Sequence, residues 1–335
     1  MRLPITYDAT GTRAFSSVMT LLGLFLAVAQ GGHCAPAKPN LAPREWEPLP
    51  AWAQENGFKL TRSKRDEAIV LTNQADILSF KVESLSARIK GVNVWLCNPI
   101  LLRDGQPCIS LLDLRETIRP ILFPGTRRTQ ISVKTICLDP GHGGKDIGGV
   151  SGGYVEKQYT LLLAKELARQ LKAVGFNVLL TRRKDKSVEL EERPTVANQH
   201  KADLFISLHF NVAPQGEASG IEVYCLTPAA TSSTNTRGEA ANMAPVPGNR
   251  QDPQNVLLAY QLQKSLVGKL CAEDRGLRRA RFAVLRTATM PAVLIEGGFL
   301  SDSVEQKKIA DPKYRTRLAE AIVQGVLAFK HAVQS

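Results

Sequence analysis

The strongest constraint on the fold comes from residues 133–333, where apolar strand-like runs alternate with segments of helical periodicity. The run VKTICLDP shows no polar alternation, as expected of a strand that is buried on both faces of a sheet. The segment EKQYTLLLAKELARQLKAVG repeats apolar residues at helical spacing and ends at Gly175. The same alternation continues to the last helix-like segment, PKYRTRLAEAIVQGVLAFKHAV. We therefore expect an α/β fold, a three-layer domain whose mainly parallel sheet is flanked by helices.

Three segments within this region give more local predictions. SVELEERPTVANQHKA predicts a helix that is capped by Ser187, with Pro194 in its first turns or at a kink. AVLRTATMPAVLIEGGFLS predicts two strands. Residues 228–253 are rich in proline, glycine, serine and asparagine, and this composition predicts a long, mobile surface loop.

Residues 50–122 form a different block, in which short runs alternate between apolar and polar residues. Runs such as ILSFKVES and ARIKGVNVWLC, with tight polar turns and a short final helix, predict a small, β-rich α+β module. The proline-rich residues 38–49 predict a linker in front of it. The block resembles the copper amine oxidase N-terminal-like module. Its role as a spacer or as a binding surface is left open.

The first 37 residues predict an export signal. Arg2 and Arg13 precede VMTLLGLFLAVA, an apolar run of signal-peptide length that is too short to cross a bilayer. The small-residue rule places cleavage after Ala37, or earlier after Gly31. No later stretch is long and apolar enough for a membrane helix, so we expect an exported protein of the periplasm or cell envelope, with no transmembrane segment after cleavage.

Charge and cysteine content narrow the range of partners. The formal net charge of +12 favours an anionic partner. The basic residues are scattered and form no known nucleic-acid signature, which argues against nucleic acid. Cys97 and Cys108 flank a turn-like segment and are candidates for a disulfide, although small buried side chains are an equally good interpretation.

Two histidines fall where strands of the predicted sheet end. His142 lies in LDPGHGGKDIGG, and His209 ends LFISLH. Because ligands of open α/β sheets collect at the carboxyl ends of strands, these imidazoles are expected to converge, unless each is a structural histidine. Glu156 begins the long helix after the glycine-rich loop, a position that also suits an acidic residue for its helix-dipole effect. Two imidazoles and one carboxylate form the ligand set of a catalytic zinc with an open fourth position.

A further carboxylate, Glu296, follows the buried run VLI immediately before two glycines. A charge in this position is costly unless it is paired or chemically active. Because Glu296 also ends a strand, we expect it at the same edge of the sheet as His142 and His209, where the carboxyl ends of the strands lie.

Several motifs follow one another in order over residues 133–333: LDPGHGGKDIGG, LLTRRKD, LEERPTVAN, ADLFISLHFN and FAVLRTATMPAVLIEGGFLSD. In this combination they resemble the zinc-dependent N-acetylmuramoyl-L-alanine amidases of bacterial cell-wall metabolism. The resemblance implies one Zn²⁺ per chain, held by His142, Glu156 and His209, with Glu296 as the catalytic residue. It also implies peptidoglycan as the substrate, cleaved between N-acetylmuramic acid and L-alanine during wall remodelling or cell separation.

Two alternatives stay open alongside this interpretation. The first alternative is a different zinc-dependent wall hydrolase, namely a peptidase or a deacetylase. The second is a non-catalytic wall-binding protein. The complete ligand set beside Glu296 argues against the second alternative. Residues 228–253 lack the apolar helical period of the plug that blocks some family members, so we expect no self-blocking helix. An activator or wall-localising protein is left open as a partner.

Overall fold

The computed structural model describes residues 46–63, 68–126, 132–213, 218–234 and 244–334. The predicted signal peptide, residues 1–37, lies outside the described residues, as does most of the predicted linker. Residues 235–243 of the predicted surface loop also lie outside them.

The described ranges contain strands and helices that we number in chain order. The strands are β1 Trp46–Pro48, β2 Lys59–Arg62, β3 Ala68–Thr72, β4 Ile77–Lys81, β5 Ser86–Ile89, β6 Val92–Trp95, β7 Leu101–Arg103, β8 Gln106–Ser110, β9 Thr135–Pro140, β10 Val150–Ser151, β11 Tyr154–Val155, β12 Asn177–Leu180, β13 Leu204–Asn211, β14 Ile221–Leu226, β15 Asp274–Ala280 and β16 Ala292–Phe299. The α-helices are α1 Leu49–Glu55, α2 Leu111–Asp113, α3 Arg119–Leu122, α4 Glu156–Ala173, α5 Glu192–Gln199, α6 Asp252–Leu270, α7 Ala283–Arg286, α8 Glu305–Ala310 and α9 Pro312–Gln334. A π-helical turn, Leu114–Ile118, joins α2 to α3.

One sheet of eleven strands runs through both the N-terminal and the C-terminal parts of the chain. Its strand order is β12-β9-β13-β16-β14-β15-β6-β5-β4-β3-β2. In the C-terminal half, β12, β9, β13 and β16 are parallel, β14 is antiparallel to β16, and β15 is parallel to β14. The N-terminal strands β2 to β6 form an antiparallel meander. The expected α/β architecture with a β-rich N-terminal region is confirmed.

The two halves meet at a seam between β15 and β6, which pair in parallel with Leu277 beside Val94. The Asn93 backbone N–H donates to Asp274 Oδ2 at 2.8 Å, and Asn93 Nδ2 donates to the Asp274 carbonyl, also at 2.8 Å. Trp95 Nε1 donates to the Arg275 carbonyl at 3.1 Å. The predicted boundaries, 50–122 and 133–333, stay a prediction, but the hydrogen bonding of the sheet continues across them.

Apolar packing covers the C-terminal half of the sheet on both faces. Ile206 and its neighbours pack against α4, α6 and α9, while Phe205 packs against α5 and α7. Because successive side chains of a strand point to opposite faces, these helices form the two outer layers. In the N-terminal half, buried side chains on the α6 face alternate with exposed or half-buried ones on the other.

Two local predictions are wrong. Helix α5 begins at Glu192 and not after Ser187, because Pro194 fits the first turn, where its missing N–H costs no hydrogen bond. The Ser187 hydroxyl instead accepts from the Lys145 N–H at 3.1 Å. The segment AVLR forms the short helix α7, so only one of the two expected strands is present; periodicity cannot distinguish helix from strand in so short an apolar run.

Two further expectations concern loops and cysteines. The predicted surface loop ends earlier than expected, because Asp252 and Pro253 belong to α6. Cys97 and Cys108 are free thiols, so the disulfide is absent and the interpretation as small, largely buried side chains holds. Among the described helices, none combines the length and apolarity that crossing a membrane requires.

Candidate active site

The glycine-rich loop after β9 presents His142 in a left-handed backbone conformation, with φ = 60°. Gly141 allows His209 of the neighbouring strand β13 to come very close, because a Cβ at position 141 would lie 2.3 Å from His209 Cε1. Gly148 has φ = +68°, and a Cβ there would lie 2.6 Å from His142 Cδ2 and 2.7 Å from Glu156 Oε2. The loop therefore needs glycine at positions 141 and 148 so that His142 can lie close to His209 of β13 and Glu156 of α4.

The structure brings His142, Glu156 and His209 together, as the sequence predicts. His142 Nε2 lies 3.0 Å from Glu156 Oε2, and His209 Nδ1 lies 3.0 Å from Glu156 Oε1. The two imidazole rings meet edge to face, with centroids 4.8 Å apart. One potential ligand atom from each residue lies within 4.8 Å of the other two, in the part of the chain that the structure describes.

Asp146 orients the imidazole of His142, a contact that the sequence did not reveal. Both carboxylate oxygens of Asp146 lie 2.9 Å from His142 Nδ1. Hydrogen bonding of one ring nitrogen to a carboxylate directs the other nitrogen to a metal, as in many metal-ligating histidines. Nε2 of His142 is thus the atom directed towards Glu156.

Glu156 is held by two backbone donors as well as by the imidazoles. The Gly149 N–H donates to Oε2 at 2.8 Å, and the Phe210 N–H donates to Oε1 at 3.1 Å. Burial alone would raise the pKa of Glu156, but hydrogen bonds from His142 and His209 and their charges lower it well below its usual range. An ionised, preorganised carboxylate between two imidazoles fits a divalent metal ion.

The pKa of His142 shifts in the complementary direction. Burial would lower it, but hydrogen bonds and charge from Glu156, followed by those from Asp146, raise it overall. The imidazole therefore sits in a negative environment that also favours a bound cation.

Glu296 lies beside this group, in register with His209 on the neighbouring strand. Among the described residues, no donor reaches its buried Oε2 atom. Burial raises the pKa of Glu296 well above its usual value, and the negative charges of Glu156 and Glu222 raise it further. A buried carboxyl oxygen without a hydrogen-bond partner is costly unless it has a chemical role.

Two buried arginines hold the backbone of the histidine loop. Arg193 Nη1 lies 2.9 Å from Asp139 Oδ1 and donates to the Pro140 carbonyl at 3.0 Å. Arg182 Nη2 donates to the Gly141 carbonyl at 2.8 Å. The motifs LLTRRKD and LEERPTVAN contain these arginines, but their role was not evident from the sequence.

Glu222, on β14, is a further buried carboxylate near the site, and the sequence did not single it out. Its Oε2 accepts from Arg275 Nε at 3.2 Å and forms an ion pair with Arg278, whose Nε lies 2.9 Å away and donates to the Arg275 carbonyl. Its Oε1 accepts from Asn211 Nδ2 at 2.7 Å and from the Tyr224 hydroxyl at 2.8 Å. The signal was present as a charged residue within the apolar run GIEVYCL, the same signal that identified Glu296.

Comparisons with known proteins identify the family of this chain. The model of the family Amidase_3, N-acetylmuramoyl-L-alanine amidase, matches residues 136–328. The chain is 36% identical over 213 residues to the amidase AmiC of Neisseria meningitidis serogroup B, covering 57% of this chain and 51% of AmiC. It is 32% identical over 267 residues to the amidase LytC of Bacillus subtilis, covering 80% of this chain and 46% of LytC.

A crystal structure of an N-acetylmuramoyl-L-alanine amidase from Clostridium difficile 630 has the same fold. It superposes with a TM-score of 0.50 at 36% identity, covering 59% of this chain and 96% of that one. The family match and the fold thus define an amidase-type catalytic domain, and the chain belongs to the Amidase_3 family. This family is metal-dependent, and His142, Glu156 and His209 form a candidate metal site here. The chain spans about half the length of AmiC and LytC.

Proposed function

We propose that this protein is a zinc-dependent amidase that hydrolyses the bond between N-acetylmuramic acid and L-alanine in peptidoglycan. The observation that carries the proposal is the group of His142, Glu156 and His209 beside Glu296, whose buried Oε2 atom receives no hydrogen bond from the described residues. Membership of the Amidase_3 family supports the choice of this bond over those cut by a peptidase or deacetylase.

His142, Glu156 and His209 would hold one Zn²⁺ and leave one position open, with Asp146 and two backbone N–H groups keeping the ligands in place. When bound, zinc would polarise the scissile carbonyl and lower the pKa of a water molecule to roughly 7.

Glu296 would carry the proton in both halves of the reaction. Its Oε2 receives no hydrogen bond from the described residues, so it is available to accept a proton from the attacking water. A carboxyl group in an environment that favours its protonated form then delivers this proton to the leaving amine of L-alanine.

We further propose that the protein acts outside the cytoplasm, in the periplasm or cell envelope. The predicted signal at residues 1–37 supports this location, as do relatives described as probable cell wall amidases. Released stem peptides would then come from wall remodelling or cell separation. An activator or wall-localising protein stays a prediction.

The products of digestion test the reaction directly. The mature chain is incubated with intact peptidoglycan, and the released fragments are analysed by mass spectrometry. We expect stem peptides with a free N-terminal L-alanine, together with intact glycan strands. Shortened peptides would indicate a peptidase, and loss of acetyl groups a deacetylase; either result would overturn the proposal.

A further inference from the structure

Among the described residues, one face of the N-terminal half of the sheet carries exposed or half-buried side chains. In β4 and β5, Lys81 and Arg88 are exposed, whereas Phe80 and Ile89 beside them are buried. In β6, Trp95 is half-buried on the same face. Because β-strand side chains alternate, the exposed residues share one surface of the sheet.

This surface is continuous with the candidate active site. Pairing between strands connects His209, Glu296, Glu222 and Gly276 in one row, and Asn93, Arg88 and Ser79 in another. The two rows meet at the seam, because Gly276 and Asn93 directly precede the paired residues Leu277 and Val94. Arg88 lies four strands from Glu296, which at about 4.8 Å per strand is roughly 19 Å. An extended peptide covers this distance with about five or six residues.

An irregularity in β15 directs two arginines towards the row that contains Glu222. Ile221 pairs with Asp274 and Glu222 pairs with Gly276, so Arg275 is an extra residue in β15. Such a bulge changes the direction of a side chain and is common next to active sites. As a result, both Arg275 and Arg278 reach the same oxygen of Glu222.

Trp95, from the N-terminal half, fixes both arginines. Its ring lies 4.5 Å from the guanidinium carbon of Arg278, and its Nε1 donates to the Arg275 carbonyl at 3.1 Å. Trp95 is therefore a positioning residue, held at the seam between the two halves.

The charge of this surface is positive. Arg275 and Arg278 share a single carboxylate, Glu222, so one positive charge is left over beside the candidate site. Within the described ranges, no acidic side chain forms an ion pair with Lys81 or Arg88. Positive side chains therefore extend from the candidate site into the N-terminal strands.

We propose that this surface, formed by Lys81, Arg88, Trp95, Arg275 and Arg278 and here called the basic face, binds the peptide stems of peptidoglycan through their carboxylates. The proposal rests on the proposed amidase function, because the cleaved bond places a stem peptide next to Glu296. The charge and length of the face match an anionic, extended peptide, and the N-terminal half would thereby form part of the substrate cleft.

Co-sedimentation with insoluble peptidoglycan tests the basic face. The measurement uses the mature chain carrying Glu296→Gln, so that the polymer is not digested, and compares it with the same chain carrying Lys81→Glu and Arg88→Glu. We expect these two substitutions to raise the apparent Kd about tenfold at physiological ionic strength. Lys81→Gln with Arg88→Gln, which only removes the charges, should raise it roughly threefold.

A matched control changes the net charge equally on another surface. Lys165→Glu with Lys313→Glu alters exposed lysines of α4 and α9, and we expect no change in the apparent Kd. If the Lys81/Arg88 variant binds as the control does, while its circular dichroism shows a folded protein, the basic face does not bind peptidoglycan.

A second probe identifies the part of the polymer that is bound. The probe is glycan strands from which the stem peptides have been removed. The chain with an unsubstituted basic face should bind these strands as weakly as the Lys81/Arg88 variant binds intact peptidoglycan. Equal binding of stripped and intact polymer would overturn the proposal. Failure of the amidase function itself is detected separately, by the absence of free stem peptides after digestion with the wild-type chain.

Discussion

The two halves of the sheet place their polar side chains differently. In the C-terminal half, strands such as β9 and β13 are buried on both faces, and the candidate catalytic side chains lie at or beyond their carboxyl ends. In the N-terminal half, one face is covered, and the other carries exposed or half-buried side chains, among them Lys81 and Arg88. The first arrangement concentrates chemistry at one edge, whereas the second spreads charge over a surface. The seam at β15 and β6 joins them.

The largest effect is expected at the catalytic edge. Glu296→Gln removes the proton carrier but keeps the size of the side chain, so we expect turnover to fall by about 10²–10⁴-fold while bound zinc is retained. Hydrolysis of peptidoglycan and metal content are measured on the same preparation. A nearly normal rate would contradict the role of Glu296.

The next effect concerns how the metal ligands are oriented. Asp146→Asn weakens the hydrogen bond to His142 Nδ1, and loss of such a contact typically costs about 10–100-fold in metal affinity. Competition with a chromophoric chelator measures the Kd for zinc. Unchanged affinity would show that the loop alone orients His142.

The seam is tested by Gly276→Ala. Gly276 has φ = +93°, and a Cβ there would lie 2.8 Å from the Asn93 carbonyl oxygen of β6. We expect the free energy of unfolding to fall by about 1–3 kcal/mol, because the substitution strains the junction of the two halves. Urea denaturation measures this free energy.

Gly268→Ala is the matched control, because it lies in α6 with no atom within 4 Å of the added Cβ. This substitution should stabilise the protein by about 0.5–1 kcal/mol. Equal effects of the two substitutions would mean that the seam contributes no strain of its own.

The last effect is a pH dependence in α6, the helix that packs against strands of both halves. Burial raises the pKa of Asp252 to about 6, against the lowering effects of an Asn249 hydrogen bond and the Arg279 charge. Because the folded pKa is raised, the contribution of this group to stability is fully present below its unfolded pKa of about 3.9 and is lost as pH rises through 6.

Asp252→Asn should therefore flatten the change in unfolding free energy between roughly pH 4 and pH 7. Urea denaturation across this range measures the slope for both proteins. An unchanged slope would indicate that Asp252 titrates normally in the folded state.

How far the sequence could predict the molecule also differs between the halves. The positions of His142, His209 and Glu296 followed from one rule, because each follows or ends a continuous apolar run. The role of Asp146 could not be predicted in this way. Its contact with His142 Nδ1 depends on the left-handed backbone of His142, which a sequence pattern does not show.

The seam between β15 and β6 could not be predicted from the sequence, for a different reason. Asn93 and Asp274 are separated by 181 positions, and local alternation predicts strands but not which distant strands pair. For the same reason the block 50–122 could be predicted as β-rich, while its continuity with the larger sheet could not.

The central claim is that His142, Glu156 and His209 form a zinc site that supports amide hydrolysis. Metal analysis of the purified mature chain, with peptidoglycan cleavage measured on the same sample before and after chelation, tests it most directly. We predict about one zinc per chain, loss of cleavage on chelation and recovery on adding zinc. Full cleavage by a chain that holds no zinc would contradict the claim.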